Sequence, residues 1–171
     1  MGNLSEHFSR HEFRCACGCG GDEKIDKSLI AKLENLHNLL SAYQIIITSG
    51  FRCPKYSPTV GGYTTDAHTK GIAADILVYK TPSEKYDSAT VAEAAERVGF
   101  SGIGIIDDNA VHVDVRNLSN YFNSHWFGDE RTGDDFIKTF DRGTVFTPRK
   151  KTIPITVVIE EHKYSGLITE E

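Results

Sequence analysis

The chain has 171 residues, 39% apolar and 25% charged, which are ordinary values for one soluble domain with a hydrophobic core. Its net charge of −5 argues against a nucleic-acid-binding protein, because such proteins usually present a basic face. No apolar run approaches the roughly 20 residues that span a bilayer, and the N-terminus lacks the features of a secretory signal. We therefore expect a protein made in a cytoplasm, without membrane insertion.

The first elements are predicted from the pattern of apolar residues. Residues 1–25 form an irregular, cysteine-rich segment. Leucines then recur at helical spacing and predict a helix over residues 26–42. The β-branched run 45–48 is typical of a buried strand, and the residues 51–65 that follow are rich in Gly, Pro, Ser and Tyr and predict a loop.

The middle of the chain predicts further strands around a second helix. Residues 72–79 predict a strand. In Thr81-Pro82-Ser83-Glu84, a capping residue, an early proline and a later glutamate together predict the start of a helix, which Gly99 ends. Two short strands, 102–106 and 111–115, flank a polar turn and predict a hairpin.

The C-terminal part shows no clear pattern over residues 117–148. Beyond it, residues 153–159 and 164–169 predict the two strands of a β-hairpin. Strands and helices joined by short turns predict an α+β fold. We divide the chain into a main domain, residues 1–136, and a C-terminal extension, residues 137–171.

One candidate site begins in the segment from Asp66 to Asp75. His68 lies in a loop just before a strand, and Asp75 interrupts the apolar run of that strand. A buried carboxylate is costly unless it is paired or bound to a metal. Taken alone, a histidine such as His68 is more often an ordinary loop residue than a ligand, and Asp75 is equally compatible with a capping or salt-bridged residue.

A second segment places His112, Asp114 and Arg116 on one face of a strand, opposite a face of valines. Two histidines and one carboxylate, with a fourth position left to water, match the ligands of catalytic zinc sites. The alternative is an exposed strand face on which His112 and Asp114 pair with Arg116.

The sequence from Asp66 to Asp75 resembles the Ser-x-His-x-x-Gly-x-Ala-x-Asp signature of the zinc D-Ala-D-Ala carboxypeptidase family. That family includes vancomycin-resistance dipeptidases and phage L-alanyl-D-glutamate endopeptidases, and it shares its fold with the Hedgehog signalling domain. The resemblance covers roughly residues 4–128 and is nearest to the short phage-type branch. It also includes these segments: Ser49–Pro54, Val60–Gly62, Gly102–Gly104 and His112–Arg116.

The resemblance implies a Hedgehog/DD-peptidase-like fold with a central, mainly antiparallel sheet and flanking helices. It implies one zinc ion bound by His68, Asp75 and His112, and Arg52 as the cation that orients the substrate and stabilises the oxyanion. The implied substrate is a peptide of bacterial peptidoglycan. The implied place of action is the bacterial cell wall, after holin-type release or as part of a virion.

The general base is an open question in this sequence. Family members place an acid three residues before the last zinc ligand, but here that residue is Asn109. The base must then be Asp114, Asp108 or Asp107, and we favour Asp114 because it shares the strand face of His112. Asp114 is alternatively a fourth ligand or a hydrogen-bond partner of a ligand.

Trp126 is a candidate wall of the substrate cleft, with core packing as the alternative.

The function we expect is a zinc peptidase acting on peptidoglycan. The alternative is a wall-binding or interaction module that keeps zinc and fold without turnover, which the asparagine at position 109 keeps open. A metal-dependent nuclease is disfavoured by the acidic net charge. The sequence does not determine the oligomeric state.

The chain contains four cysteines, Cys15, Cys17, Cys19 and Cys53. Three of them alternate along the chain, which is not the usual Cys-x-x-Cys spacing of a zinc site. A disulfide to Cys53, free thiols and a second structural metal all remain open, because connectivity cannot be deduced from sequence.

Overall fold

A computed structural model describes residues 2–21, 24–117 and 125–147 in full, and the backbone of residues 152–159 and 162–169. Within these ranges, no helix has the length and apolar character needed to cross a bilayer. The α-helices are α1 (Lys27–Leu39) and α2 (Ser88–Val98), and short 3₁₀ helices span Arg10–Phe13 and Ser57–Val60. The strands are β1 (Gln44–Ser49), β2 (Ala73–Thr81), β3 (Glu84–Lys85), β4 (Gly102–Ile105), β5 (Ala110–Asp114), β6 (Trp126–Asp129), β7 (Thr152–Ile159) and β8 (His162–Thr169).

The central sheet has the strand order β1-β2-β5-β4-β6, with the short β3 paired to β2. Its neighbouring strands are antiparallel except for β4 and β6, which are parallel. The helices contact each other, and α2 contacts β4 and β5. These observations confirm the predicted α+β fold with a mainly antiparallel sheet.

The two faces of the sheet differ because successive side chains of a strand point in opposite directions. On one face, aliphatic residues of the central strands are buried in a core with the leucines of α1 and the alanines of α2. The sheet contributes these core residues: Ile45, Ala74, Ile76, Val78, Ile103, Ile105, Val111, Val113 and Phe127. The residues between them, including Asp75 and His112, belong to the opposite face and form the candidate site.

The start of α2 corrects the sequence prediction. Thr81 is the last residue of β2, and its hydroxyl accepts a hydrogen bond from the Glu84 amide at 3.1 Å, which closes a turn into β3. The helix begins later, at Ser88, where the Asp87 side chain accepts from the Thr90 amide at 2.9 Å. The predicted start was wrong because a threonine hydroxyl caps turns as well as helices. The predicted end at Gly99 is confirmed.

Strand β6 lies inside the stretch for which the sequence showed no pattern. It has only four residues and pairs in parallel with β4, so that Trp126 lies opposite Gly102 and Phe127 opposite Ile103. A strand of four residues is too short for an alternating pattern to be recognised. Its partner strand also lies about twenty residues earlier in the chain, so no local pattern indicates the pairing.

The predicted C-terminal strands are present, since β7 and β8 pair antiparallel from Thr152 opposite Thr169 to Ile159 opposite His162. Residues of the preceding segment, Ile137, Phe140 and Phe146, pack against the core of the main domain. The division of the chain at residue 136 stays a prediction.

Glu93 of α2 fastens this segment to the helix. Its side chain is 0% exposed and accepts hydrogen bonds from the Thr144 amide at 2.8 Å, the Thr144 hydroxyl at 2.6 Å and the Arg142 amide at 3.1 Å. Arg97 and Arg142 also pair with it, each at 3.1 Å. Burial alone would raise the pKa of Glu93, but these hydrogen bonds outweigh it and lower the pKa to about 2.

We expect Glu93→Ala to lower the free energy of unfolding by about 2 kcal/mol, the range for hydrogen bonds to a charged group. Chemical denaturation measures this change. The control is Glu84→Ala, which removes an exposed pair with Lys80 at 3.3 Å. Its effect should stay below about 1 kcal/mol. Equal effects of the two substitutions would contradict the role given to Glu93.

The contribution of Glu93 should also depend on pH in a defined direction. Its pKa in the folded chain lies below the ordinary value of 4.5, so the stabilisation is complete above that pH and is lost as the pH falls through about 2. The stability advantage of the wild type over Glu93→Gln should therefore shrink between these two values. An advantage that grows in acid would contradict this assignment.

Candidate metal centre

The loop before β2 is organised by Asp66, which stands where the family signature has serine. Its carboxylate accepts hydrogen bonds from the Tyr63 amide at 3.0 Å, the Thr69 amide at 2.8 Å and the Ser57 hydroxyl. These bonds close the loop around His68. Asp66 therefore holds the backbone that presents the histidine.

The orientation of the His68 ring is fixed by a single backbone carbonyl. The ring is 4% exposed, and its Nδ1 atom lies 2.7 Å from the carbonyl oxygen of Gly50. A carbonyl only accepts hydrogen bonds, so Nδ1 carries the proton and donates. The Nε2 atom therefore keeps its lone pair for a metal ion, an arrangement usual among metal-binding histidines.

Three ligand-type atoms converge where β2 and β5 pair, because the register places Asp75 opposite His112. His68 Nε2 lies 3.2 Å from His112 Nδ1 and 3.2 Å from Asp75 Oδ1. His112 Nδ1 lies 2.9 Å from Asp75 Oδ1. Ligands about 2.0–2.1 Å from a tetrahedral zinc ion are about 3.3 Å apart, so this donor set fits zinc closely.

Arg52 lies directly beside this cluster. Its Nε atom donates to the Ser49 hydroxyl at 2.8 Å, and its Nη2 atom donates to Asp75 Oδ2. Asp75 therefore offers one oxygen to the guanidinium and the other to the two imidazoles. Arg52 therefore lies next to the candidate ligands, and its role toward a substrate stays a prediction.

Asp114 contacts the opposite side of the His112 ring. Its Oδ2 atom lies 3.1 Å from His112 Nε2, and Arg116 Nε donates to both carboxylate oxygens at 2.9 and 2.8 Å. The side chain is 0% exposed, and a Cβ atom at Gly102 would lie 2.1 Å from it. These contacts favour the alternative interpretation of Asp114, a carboxylate that orients a ligand histidine, over that of a general base.

The charges of the cluster shift the pKa values of its members. Burial alone would raise the pKa of Asp75 and of Asp114, but His112 lowers both pKa values well below their usual range. Burial alone would lower the pKa of His112, whereas hydrogen bonds to Asp114 and Asp75 raise that pKa to about 9. The two carboxylates thus create a negative environment that favours a cation among these side chains.

Trp126 lies at the edge of the same site. Its half-buried ring meets the His112 ring edge-on at 6.1 Å, and the Arg116 guanidinium lies 5.0 Å from its centre. The ring fits because Gly104, opposite His112 in the sheet, has no side chain; a Cβ atom there would lie 3.1 Å from the indole. Trp126 therefore borders the site, as a cleft wall would.

Asp107 and Asp108 lie in the turn between β4 and β5. The Asp107 carboxylate accepts from the amides of Asn109 and Ala110, both at 2.7 Å. The Asp108 side chain is 93% exposed and lies 3.4 Å from Arg131. In the described contacts, neither aspartate touches the three candidate ligands.

Sequence reasoning missed several supporting roles. It did not anticipate Ser49 as the anchor of Arg52, the Gly50 carbonyl as the acceptor for His68, or the space that Gly102 and Gly104 leave for larger side chains. The alternating glycines of β4 were a usable signal, because glycine inside a strand often marks a close approach by another group.

A buried imidazole, a partly buried imidazole and a buried carboxylate at one face of an antiparallel sheet, with an arginine alongside, define a candidate metal centre of the hydrolase type. A family model described as Peptidase M15 matches residues 6–114, which contain Arg52, the three candidate ligands and Asp114. The chain therefore belongs to the Peptidase M15 family, whose members are zinc-dependent peptidases. A search of curated proteins found no match to this chain.

We expect Asp114→Asn to weaken zinc binding about 10- to 100-fold, because partners of ligand histidines contribute this much to metal affinity. Competition with a chromophoric chelator measures the affinity. Unchanged affinity with abolished peptide hydrolysis would instead identify Asp114 as the general base.

The matched control is Asp108→Asn, which removes the same charge from an exposed side chain. Its zinc affinity should equal that of the wild type. A loss as large as that of Asp114→Asn would show that net charge, and not the contact with His112, controls binding.

Proposed function

We propose that this chain is a zinc-dependent peptidase that cleaves D-amino-acid-containing peptides of bacterial peptidoglycan, as a D-Ala-D-Ala carboxypeptidase or an endopeptidase. The observation that carries the proposal is the convergence of His68 Nε2, His112 Nδ1 and Asp75 Oδ1 beside Arg52. Membership of the Peptidase M15 family supports the peptidase activity.

In this proposal His68, Asp75 and His112 hold the zinc ion. A bound zinc ion polarises a substrate carbonyl and lowers the pKa of a bound water. Arg52, held by Ser49 and Asp75, offers its remaining N–H groups to a substrate oxygen on which negative charge develops. Asp114 keeps the His112 ring in place, so that Nδ1 faces the other ligands.

A cavity of about 220 Å³ next to Arg52 supports a small peptide substrate. Its lining includes Arg14, Arg52 and Tyr56 and the end of β1. Arginine binds carboxylates well because its planar group donates two parallel hydrogen bonds. Two arginines and one glutamate, Glu12, give the cavity lining a net positive charge, which suits the free carboxylate of a peptide C-terminus and favours carboxypeptidase action.

We place the action of the enzyme at the bacterial cell wall, in phage-type lysis or wall remodelling. The resemblance to short phage-type enzymes supports this part of the proposal. The alternative function, a zinc-containing module without turnover, is favoured by Asn109, which stands where related enzymes have an acid. Hydrolysis assays separate the two functions.

We expect the zinc-loaded wild type to release new peptide termini from purified peptidoglycan, detected by mass spectrometry. His68→Ala should lose both the zinc and the products, because it removes one of three ligands. His11→Ala, at an exposed position outside the cluster, is the matched control and should retain both. Stoichiometric zinc in the wild type with no new termini would reject the peptidase and support the module.

We expect Arg52→Ala to lower turnover about 100- to 1,000-fold, the usual cost of removing one donor that stabilises an oxyanion. Zinc content should stay unchanged, because Arg52 contacts Asp75 through the oxygen that does not face the imidazoles. Arg52→Lys keeps the charge but loses the planar donor group, so its turnover should lie between that of the wild type and that of Arg52→Ala. Loss of zinc in Arg52→Ala would show that Arg52 supports metal binding, which contradicts the role given to it here.

A further inference from the structure

The four cysteines of the chain meet at one point, and one of them, Cys53, directly follows Arg52 in sequence. All four sulfur atoms lie within 4.8 Å of one another, although Cys53 is far from the others in sequence. The Cys17 sulfur lies 3.3 Å from that of Cys15 and 3.6 Å from that of Cys53. None of the four forms a disulfide, and each is a free thiol.

These distances match the spacing of sulfur ligands around a zinc ion. Zinc–sulfur bonds of about 2.3 Å in a tetrahedron separate the sulfur atoms by about 3.8 Å. A disulfide would bring two of the atoms to about 2.05 Å. A thiolate site is thus reached by small movements of side chains that already face one another.

The N-terminal segment is folded around the sulfur atoms. Gly18 and Gly20 have φ values of 77° and 76°, a left-handed conformation that suits glycine, and the Cys15 amide donates to the Gly21 carbonyl at 3.0 Å. These turns explain how alternating cysteines reach a common centre. The Cys53 amide also donates to the Cys15 sulfur at 3.2 Å, and such bonds stabilise a thiolate.

Disulfides account for this arrangement less well than a metal ion does. With Cys53 as the one cysteine outside the segment, pairing all four would require a bond between two of the three closely spaced cysteines. A single disulfide would leave two thiols in contact with it. A soft divalent cation uses all four sulfur atoms together, and zinc accepts four thiolates in a tetrahedron.

We propose that Cys15, Cys17, Cys19 and Cys53 bind a structural zinc ion, separate from the candidate centre at His68, Asp75 and His112. Four thiolates leave no open position for water or substrate, so this ion supports structure and not hydrolysis. It links the N-terminal segment to the residue that follows Arg52. The Phe51 amide, which donates to the Phe13 carbonyl at 2.9 Å, reinforces this link.

The test is the zinc content of the purified full chain, prepared with reductant and excess zinc and then dialysed. We expect two zinc ions per chain in the wild type, one in Cys17→Ser/Cys19→Ser and one in His68→Ala/His112→Ala. Ala16→Ser is the matched control within the segment and should keep both ions. If the cysteine variant keeps the zinc content of the wild type, the proposal is overturned, whatever the histidine variant shows.

Cobalt provides a readout that identifies the ligands. The cobalt-loaded wild type and the histidine variant should both show the near-ultraviolet charge-transfer band of thiolate-bound cobalt, and Cys17→Ser/Cys19→Ser should lose it. Cys17→His should keep one metal ion at this site, because zinc sites accept three cysteines and one histidine. A disulfide formed by Cys17 would instead be lost in this variant.

Two results on the wild type keep the proposal falsifiable even if the cysteine variants fail to fold. Absence of the charge-transfer band in the reduced, cobalt-loaded wild type overturns it. The second result is the intact mass of protein isolated without reductant. A mass lower by the two hydrogens that a disulfide removes overturns the proposal as well. Failure of peptidoglycan hydrolysis has no bearing on either measurement.

Discussion

The pairing of β2 with β5 is the constraint on which the candidate site depends. Asp75 lies opposite His112 in this ladder, and both point away from the core. A shift of one residue would turn both side chains into the apolar face and expose its aliphatic residues. The burial of Ile76, Val111 and Val113 therefore sets the register of the ligands as well as the stability of the sheet.

The same face carries an unbroken series of contacts between arginines, carboxylates and an imidazole. Arg52 contacts Asp75, Asp75 contacts His112, His112 contacts Asp114, and Asp114 contacts Arg116. Buried carboxylates are costly, but each one here has a cationic or imidazole partner on two sides. These partners explain how two carboxylates can lie buried on one face of the sheet. They also hold the three candidate ligand atoms close together.

Contacts also join segments of the chain that are far apart in sequence. The cysteine segment reaches the loop of Arg52, and Glu93 binds the segment around Arg142 and Thr144. The family match ends at residue 114, whereas Trp126 and the Glu93 partners Arg142 and Thr144 lie beyond it. Trp126, which borders the candidate site, thus lies outside the matched region.

The sequence alone determined most elements, because α1, β1, β2 and the β4–β5 hairpin follow from local apolar periodicity. It also determined the candidate ligands, since an aspartate within an apolar strand and a histidine opposite valines break the pattern, and the resemblance joined them. Only the tertiary structure decided the start of α2, the existence of β6, the ring nitrogen that each histidine presents and the partner of Asp114. The existence of β6 and the ring nitrogen that His68 presents depend on contacts between residues remote in sequence, such as His68 with Gly50, which local patterns do not encode. The start of α2 and the partner of Asp114 depend on side-chain contacts between near neighbours, where the local sequence allowed more than one arrangement.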